Sequence, residues 1–344
     1  MKSGLPLPLP LLLLPALASA GSLHDEALWR FNFGNDIFFQ KDNKLSAGWV
    51  VQRHSAPVQS WERLQGMPGF IGSWSEFFEP LSRPDLLKRA HWSVGQVMQT
   101  PTDITREERI PDDVPYAGAL VLQAGWYAYN DEEFRGLELT TGVVGPPSLA
   151  EQTQIAVHRL LGNEIPRGWD NQLKTEPIVN ANVMRKVKLL AGDDGFWGWD
   201  QALSVDGSLG NLYTQLSLAM EWRFGENLPG GFLYNPLPPG FGMSYKASLP
   251  PLRPQRHALY GSLSLRVSAF AWNLFFDGNT YDREYRVPKE PVVWQATVGV
   301  HYERPEWALH FTLLRSGADV DVRRLAEAES SEAFGALIFE WRIL

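Results

Sequence analysis

The feature that most constrains this chain is a two-residue alternation of apolar and polar side chains, sustained over segments long enough to cross a bilayer. From 211 to 224, Leu212, Leu216, Leu218, Met220, Trp222 and Phe224 share one face, while Asn211, Gln215, Ser217, Glu221 and Arg223 share the other. Leu259, Leu263, Leu265 and Val267 oppose Ser262, Ser264, Arg266 and Ser268 in the same way. So do Val292, Trp294, Val298, Val300 and Tyr302 against Gln295, Thr297, His301 and Glu303. The chain closes on Leu337, Phe339, Trp341 and Ile343, set against Glu340 and Arg342. Successive side chains of a strand point to opposite faces, so this period marks extended chain with one apolar face.

Two architectures use such strands, and alternation alone does not say which face is wet. A soluble sandwich buries the apolar face; a transmembrane barrel turns it to lipid and keeps the polar face inside. Strand length favours the barrel, since about 10 residues span a membrane. Trp and Tyr near the strand ends fit the aromatic girdles of such barrels. The expected fold is therefore an all-β, antiparallel transmembrane β-barrel of about twelve strands with a short extracellular-loop helix. The strands centre on 27–39, 44–54, 90–100, 116–129, 134–144, 175–189, 196–206, 211–224, 257–272, 292–303, 306–315 and 333–344. The Pro/Gly-rich stretches 55–89 and 225–256 read as connections, and no repeat or linker divides the chain. With both termini periplasmic, the connections near 40–44, 101–115, 145–174, 273–291 and 316–332 lie at the outer face.

Residues 1–20 read as a signal peptide, which leaves a single barrel domain over 21–344. Lys2 supplies the positive start, a Leu-rich run follows, and Ala18-Ser19-Ala20 is the small-residue cleavage pattern. Prolines at 6, 8, 10 and 15 argue against a retained spanning helix. The absence of cysteine excludes disulfides, Cys-ligated metal centres and a Cys nucleophile. With 31 Lys+Arg against 39 Asp+Glu the net charge is -8, which argues against nucleic acid as a partner.

One helix interrupts the strands. Over 148–162, Ser148 and Glu151 have the spacing of a capping box after Pro147, and Gly162 is placed to end the helix. Glu151, Gln154, Ile155 and His158 fall in one stripe. His158 is a candidate general base, although the helix alone favours a loop helix with an ordinary surface histidine. A second cluster, Asn35, Asp36, Asp42, Asn43 and Ser46, carries oxygen donors of the kind calcium prefers, or simply forms a polar turn. The motifs of nucleophile-elbow esterases, zincins and P-loop enzymes are absent from the sequence.

Short motifs in order along nearly the whole chain resemble the outer-membrane lipid A deacylase family, the LpxR-type lipid A 3'-O-deacylases. They are Asn35-Asp36-Ile37-Phe38, Leu45-Ser46-Ala47-Gly48, Gln99-Thr100-Pro101-Thr102-Asp103-Ile104 and Pro111-Asp112-Asp113-Val114-Pro115-Tyr116-Ala117-Gly118. Val144-Gly145-Pro146, Gln154-Ile155-Ala156-Val157-His158, Gly168-Trp169-Asp170-Asn171-Gln172-Leu173, Gly210-Asn211-Leu212-Tyr213 and Phe276-Asp277-Gly278-Asn279-Thr280 follow. The resemblance implies a twelve-stranded outer-membrane barrel with its site between the barrel wall and an outer-loop helix. It implies a calcium-dependent ester hydrolase acting on lipid A within lipopolysaccharide, monomeric among outer-membrane lipids. His158 would be the general base, Asn35 and Asp36 the calcium and catalytic pair, and Ser46 the hydroxyl residue. Arg106, Arg109 and Gln154 would contact substrate. The chain departs from the family pattern at Leu45 and Ser46, which replace Tyr and Thr, at Arg106, where some members have Lys, at Gln152 and at the terminal Leu344. The competing functions are a non-enzymatic barrel, either a channel or a structural protein, and an outer-membrane phospholipase with a serine nucleophile.

Overall fold

The structure is a computed structural model that describes residues 27–35, 45–75, 79–111, 113–232, 245–249, 257–317 and 331–343. The expected signal peptide at 1–20, the residue Asp36 and its neighbours Asp42 and Asn43 lie outside the described residues.

In chain order the strands are β1 (Leu28–Asn35), β2 (Leu45–His54), β3 (Leu87–Gln99), β4 (Ala117–Tyr129), β5 (Glu133–Val144), β6 (Glu176–Asp193), β7 (Trp197–Gly210) and β8 (Tyr213–Glu226). The short β9 (Gly230–Phe232) and β10 (Ala247–Leu249) follow, then β11 (Ala258–Asn273), β12 (Val292–Glu303), β13 (Trp307–Gly317) and β14 (Ser331–Arg342). Among the described residues three α-helices punctuate them: α1 (Gly69–Ser75), α2 (Ala150–Leu161) and α3 (Leu274–Asp277). All strands except β9 and β10 form one closed antiparallel ring, in which β1 pairs with β14 from Leu28↔Arg342 to Asn35↔Gly335. Each of the twelve expected strands is present. The sequence reading missed the β9–β10 pair inside the 225–256 connection, because three-residue strands are too short to show a period.

The two faces of the ring settle the choice between barrel and sandwich. Large apolar side chains stand exposed on the outside, among them Leu209 at 72%, Val179 at 68% and Leu216 at 63%. Their polar neighbours point inward and are buried, including Arg30, Glu138, Lys186, Glu221, Arg266, Glu303 and Glu340. Water outside would be the wrong solvent for such a wall; lipid is the right one. Short turns at 130–132, 194–196 and 304–306 share one end with the start of β1 and the finish of β14, and this is the periplasmic end. The connections 100–116, 145–175 and 274–291 lie at the outer end, and the long connections after β2 and β8 at the periplasmic one.

Inside, charge meets charge. Arg30 donates to Glu340 through Nε (2.9 Å) and Nη2 (2.7 Å). Lys186 Nζ lies 2.6 Å from Glu221, Arg223 pairs with Asp200, and Arg266 with Asp206. Toward the periplasmic end, residues 245–249 enter the lumen. Arg30 Nη1 donates to the Tyr245 carbonyl at 2.9 Å, Lys246 reaches Glu340 at 2.8 Å, and the Tyr245 ring packs 4.5 Å from that of Phe134. The cavity beside Arg30, Tyr260, His301, His310 and Glu340 is about 10 Å³, room for one water. A passage for solutes at this level is filled by these side chains.

Because an unpaired buried charge is far more costly than none, the lumen pairs are coupled. Lys186→Met should destabilise the barrel by about 3–5 kcal/mol. Lys186→Met with Glu221→Leu should recover most of the loss, read as the urea midpoint of the heat-modifiable folded band.

Candidate active site

The outer loops are held by the motif residues themselves. The Gln99 amide donates to the carbonyls of Pro115 and Phe275, each at 3.1 Å. The Asp113 carboxylate accepts the backbone N–H of Thr102 (2.6 Å) and Val114 (2.7 Å). Asn279 brackets Lys174, accepting from its N–H at 2.9 Å and donating to its carbonyl at 2.8 Å. Asn211 and Thr280 both bond Glu176. Tyr116 donates to the Ile104 carbonyl at 3.0 Å, and burial pushes its phenol up to about 12, so it stays a donor at any physiological pH. Asp103 is held below the usual carboxylate range, first by the Thr105 hydroxyl and then by the Thr105 backbone N–H. Many of the recurring residues are thus braces of the loops around the site.

These braces fix α2 against the outside of the wall. In β4, Ala119, Val121 and Gln123 point inward and Gly118, Leu120 and Leu122 outward. A Cβ on Gly118 would stand 2.2 Å from the Ala150 Cβ and 2.5 Å from Ser148 Oγ, so only glycine lets the helix start lie this close. Gln96, an outward residue of β3 covered by the helix start, accepts from Trp49 Nε1 of β2 (3.0 Å) and donates to the Ser148 carbonyl (2.6 Å). Further along α2, buried Gln154 accepts from Trp169 Nε1 at 2.9 Å, and Trp169 packs 4.9 Å from the Tyr116 ring. The stripe of Glu151, Gln154, Ile155 and His158 is indeed the less exposed face of the helix.

The expected capping box does not form. Pro146–Ser148 make a 3₁₀ turn, Leu149 takes a left-handed conformation (φ 60°) as N-cap, and no side chain caps the helix. Ser148 sits one residue too early and is buried against Gly118, where its hydroxyl cannot reach the first turn. The other end follows expectation: Gly162 is left-handed at φ 73° and its N–H donates to the His158 carbonyl.

That ending turns the chain back over the histidine. His158 Nδ1 lies 2.5 Å from the Glu164 carbonyl oxygen. A carbonyl only accepts, so Nδ1 carries a proton; in the neutral ring that leaves the lone pair on Nε2. His158 is half-buried in the last turn of α2.

The backbone brings two further candidates to the same rim. Asn35 pairs with Ala47 of β2, and the β2–β3 register slips between Leu45 and Ala47, making Ser46 the extra residue of a bulge. Bulges often mark the neighbourhood of active sites. Asn35 on β1 and Ser46 on β2 are therefore on adjacent strands, with β2 next to β3, against which α2 packs. The expected meeting of Asp36 with His158 lies outside the described residues. Among the described residues no cluster of three or more His, Cys, Asp or Glu could hold a metal. On the loop 101–115, Arg106 is exposed, and Arg109 is half-buried with its guanidinium 5.0 Å from the Tyr285 ring. Sequence reasoning missed the Trp49–Gln96–Ser148 relay and the Glu164 carbonyl. Polarity at Gln96, on the lipid-facing parity of β3, was the available signal for the first; a backbone acceptor leaves none.

An outer-membrane β-barrel with a helix braced against its outer wall and an oriented histidine on that helix is the class that fold and site define. The chain belongs to the LpxR family: a family model described as outer membrane protein LpxR matches residues 6–343. It is similar in structure to LpxR from Salmonella typhimurium, with TM-score 0.70 and 13% identity over 92% of this chain and 100% of that one, a likeness of fold. It also aligns with the β domain of the Bordetella autotransporter BrkA (TM-score 0.40, 7% identity, 92% and 99% covered). The COG4313 outer membrane channel from Pseudomonas putida F1 aligns at TM-score 0.39, with 8% identity and 95% and 100% covered. No curated protein matches the sequence. The protein is a bacterial outer-membrane protein.

The close approach at Gly118 is directly testable. Gly118→Val should lift the start of α2 from the wall. Trypsin should then cleave after Arg159 faster than in the parent, while the barrel still migrates as a folded, heat-modifiable band.

Proposed function

We propose that this barrel is a carboxylic ester hydrolase that removes an ester-linked acyl chain from lipid A in the outer leaflet. The observation that carries the reading is the His158–Glu164 contact, which holds the imidazole by Nδ1 and turns Nε2 toward the outer rim, the arrangement a general base needs. The filled lumen counts against a channel, and a channel has no use for an oriented histidine outside the wall.

The reaction asks five things of the chain. His158 Nε2 takes a proton from water as the water oxygen attacks the ester carbonyl carbon. The Nδ1–H bond to Glu164 and the helix C-terminus steady the imidazolium that results. As the tetrahedral intermediate collapses, the bond to the sugar oxygen breaks and His158 returns the proton to that oxygen, yielding a fatty acid and an alcohol. Arg106 and Arg109 supply cations for the lipid A phosphates, and stacking on Tyr285 orients Arg109. Gln154 acts beside them by fixing α2 through Trp169.

The oxygen donors of Asn35, Asp36 and Ser46 suit a hard cation, and the strand pairing that puts Asn35 next to the Ser46 bulge supports a shared calcium site there. Bound calcium would supply Lewis-acid stabilisation of the developing oxyanion.

His158→Ala should lower fatty-acid release from purified lipid A by about 10²–10⁴-fold with the barrel still folded. Chelation of calcium should lower the rate independently. Undiminished release by His158→Ala would remove the general base, and indifference to chelator would remove the metal.

A further inference from the structure

We propose that the connection between β2 and β3 is a phospholipid-binding anchor, in which α1 inserts Phe70 and Trp74 into the periplasmic leaflet beside the barrel and neighbouring arginines take the lipid phosphates. The inference is independent of the catalytic reading.

The connection lies outside the ring. Trp126 and Ala128 are outward residues of β4, and Ala90 is an outward residue of β3; all three are buried under Trp61, Ile71, Leu81 and Leu86. Trp126 Nε1 donates to the Ile71 carbonyl at 2.7 Å, and the Trp74 ring lies parallel to that of Trp126 at 6.3 Å. A periplasmic segment that only sealed the wall would turn its remaining surface to water. Here Phe70 is 50% exposed and Trp74 47%, side by side with ring centroids 6.4 Å apart.

Their level matches the membrane boundary. Trp126 sits three residues from the periplasmic end of β4 at Tyr129. The same end of the wall elsewhere carries exposed Phe196, Trp197, Trp199 and Trp341, the belt where amphipathic rings meet headgroups. α1 therefore continues the lipid-facing wall, with Phe70 and Trp74 replacing the buried Trp126 in the belt.

The charges around it select the partner. Arg135 is an outward residue of β5 and donates to the Pro80 carbonyl of the connection at 3.2 Å. It lies opposite Arg185 of β6, which is 65% exposed. Arg83, Arg135 and Arg185 all surround the carboxylate of Glu133, and Arg83 also pairs with Asp85, so three guanidinium groups face two carboxylates. The guanidinium of Arg53 stands beside the turn at Gly66, 5.6 Å from the Trp29 ring. Aromatic rings flanked by surplus guanidinium groups fit a glycerophospholipid, with acyl chains against the rings and the phosphodiester on the arginines.

The chain has no cysteine, so single labels are unambiguous. Phe70→Cys, Trp74→Cys, Gln65→Cys and Leu216→Cys would each carry an environment-sensitive fluorophore. The full barrel is refolded into phosphatidylethanolamine–phosphatidylglycerol vesicles with brominated acyl chains, folding being checked by heat modifiability. Labels at 70 and 74 should be quenched at least half as strongly as the wall label at 216, and well beyond that at exposed Gln65. Quenching at 70 and 74 no greater than at 65 would overturn the anchor. In detergent, Arg135→Gln with Arg185→Gln should weaken binding of short-chain phosphatidylglycerol about fivefold, as expected for lost charge-assisted bonds. An unchanged constant would remove the phosphate contacts.

Discussion

In hydrocarbon, a backbone N–H or C=O without a partner costs several kcal/mol, and no water is present to supply one. The pairing of β1 with β14 removes the two edges that an open sheet would leave in that medium. Closure then dictates the rest. Every second side chain must enter a confined lumen, and those side chains are polar because their neighbours face lipid. Arg30, Lys186, Arg223 and Arg266 are tolerable there because each has a carboxylate partner. The β9–β10 segment completes the filling, with the Tyr245 carbonyl and the Lys246 ammonium engaging the Arg30–Glu340 pair.

A wall fixed in this way is a rigid base for a site outside it. Groups placed on strands and on braced helices keep their geometry better than groups on free loops. α2 gains that quality from contacts along its length: Ala150 on Gly118, Ser148 on Gln96, Gln154 on Trp169. The chain leaving α2 then supplies the one acceptor that sets the His158 tautomer. The exposed face of the same helix carries Val157, Leu160 at 84% exposure and Leu161. Such a face sits poorly in water and well in the outer leaflet, where the ester bonds of lipid A are found.

The strands were legible because a period of two survives in any sequence whose faces meet different solvents. Even the limits of β4 and β12 fall within a residue of the reading. What failed was local. The Ser148–Glu151 spacing matches a capping box, but Pro146 and Pro147 impose a 3₁₀ turn that moves the helix start past Ser148. His158 could be chosen from its stripe; its orientation could not, since Glu164 acts through a carbonyl that every residue possesses. Asp113, Asn211 and Asn279 stand in the motifs that carry the family resemblance, and they are loop braces. An amide or carboxylate that bonds backbone is as distinctive in sequence as one that binds substrate.

Both helical covers, α1 and α2, lie on β3–β5, and the sequence of that wall explains why. The outward positions of β4 are Gly118, Leu120, Leu122, Ala124, Trp126 and Ala128, and Ala90 lies outward on β3. Those of β8 and β12 include Leu216, Leu218, Phe224, Trp294, Val298 and Val300, all exposed. Small residues let a helix approach a strand closely, as the Ala150–Gly118 contact requires, while large apolar ones fill that space and are best left to lipid. Alternation therefore carries a second level of information beneath the apolar–polar pattern. Where the lipid-facing positions shrink to Gly and Ala, the wall is built to receive protein. In this chain that happens at the outer end of β4 under α2 and again at its periplasmic end under α1.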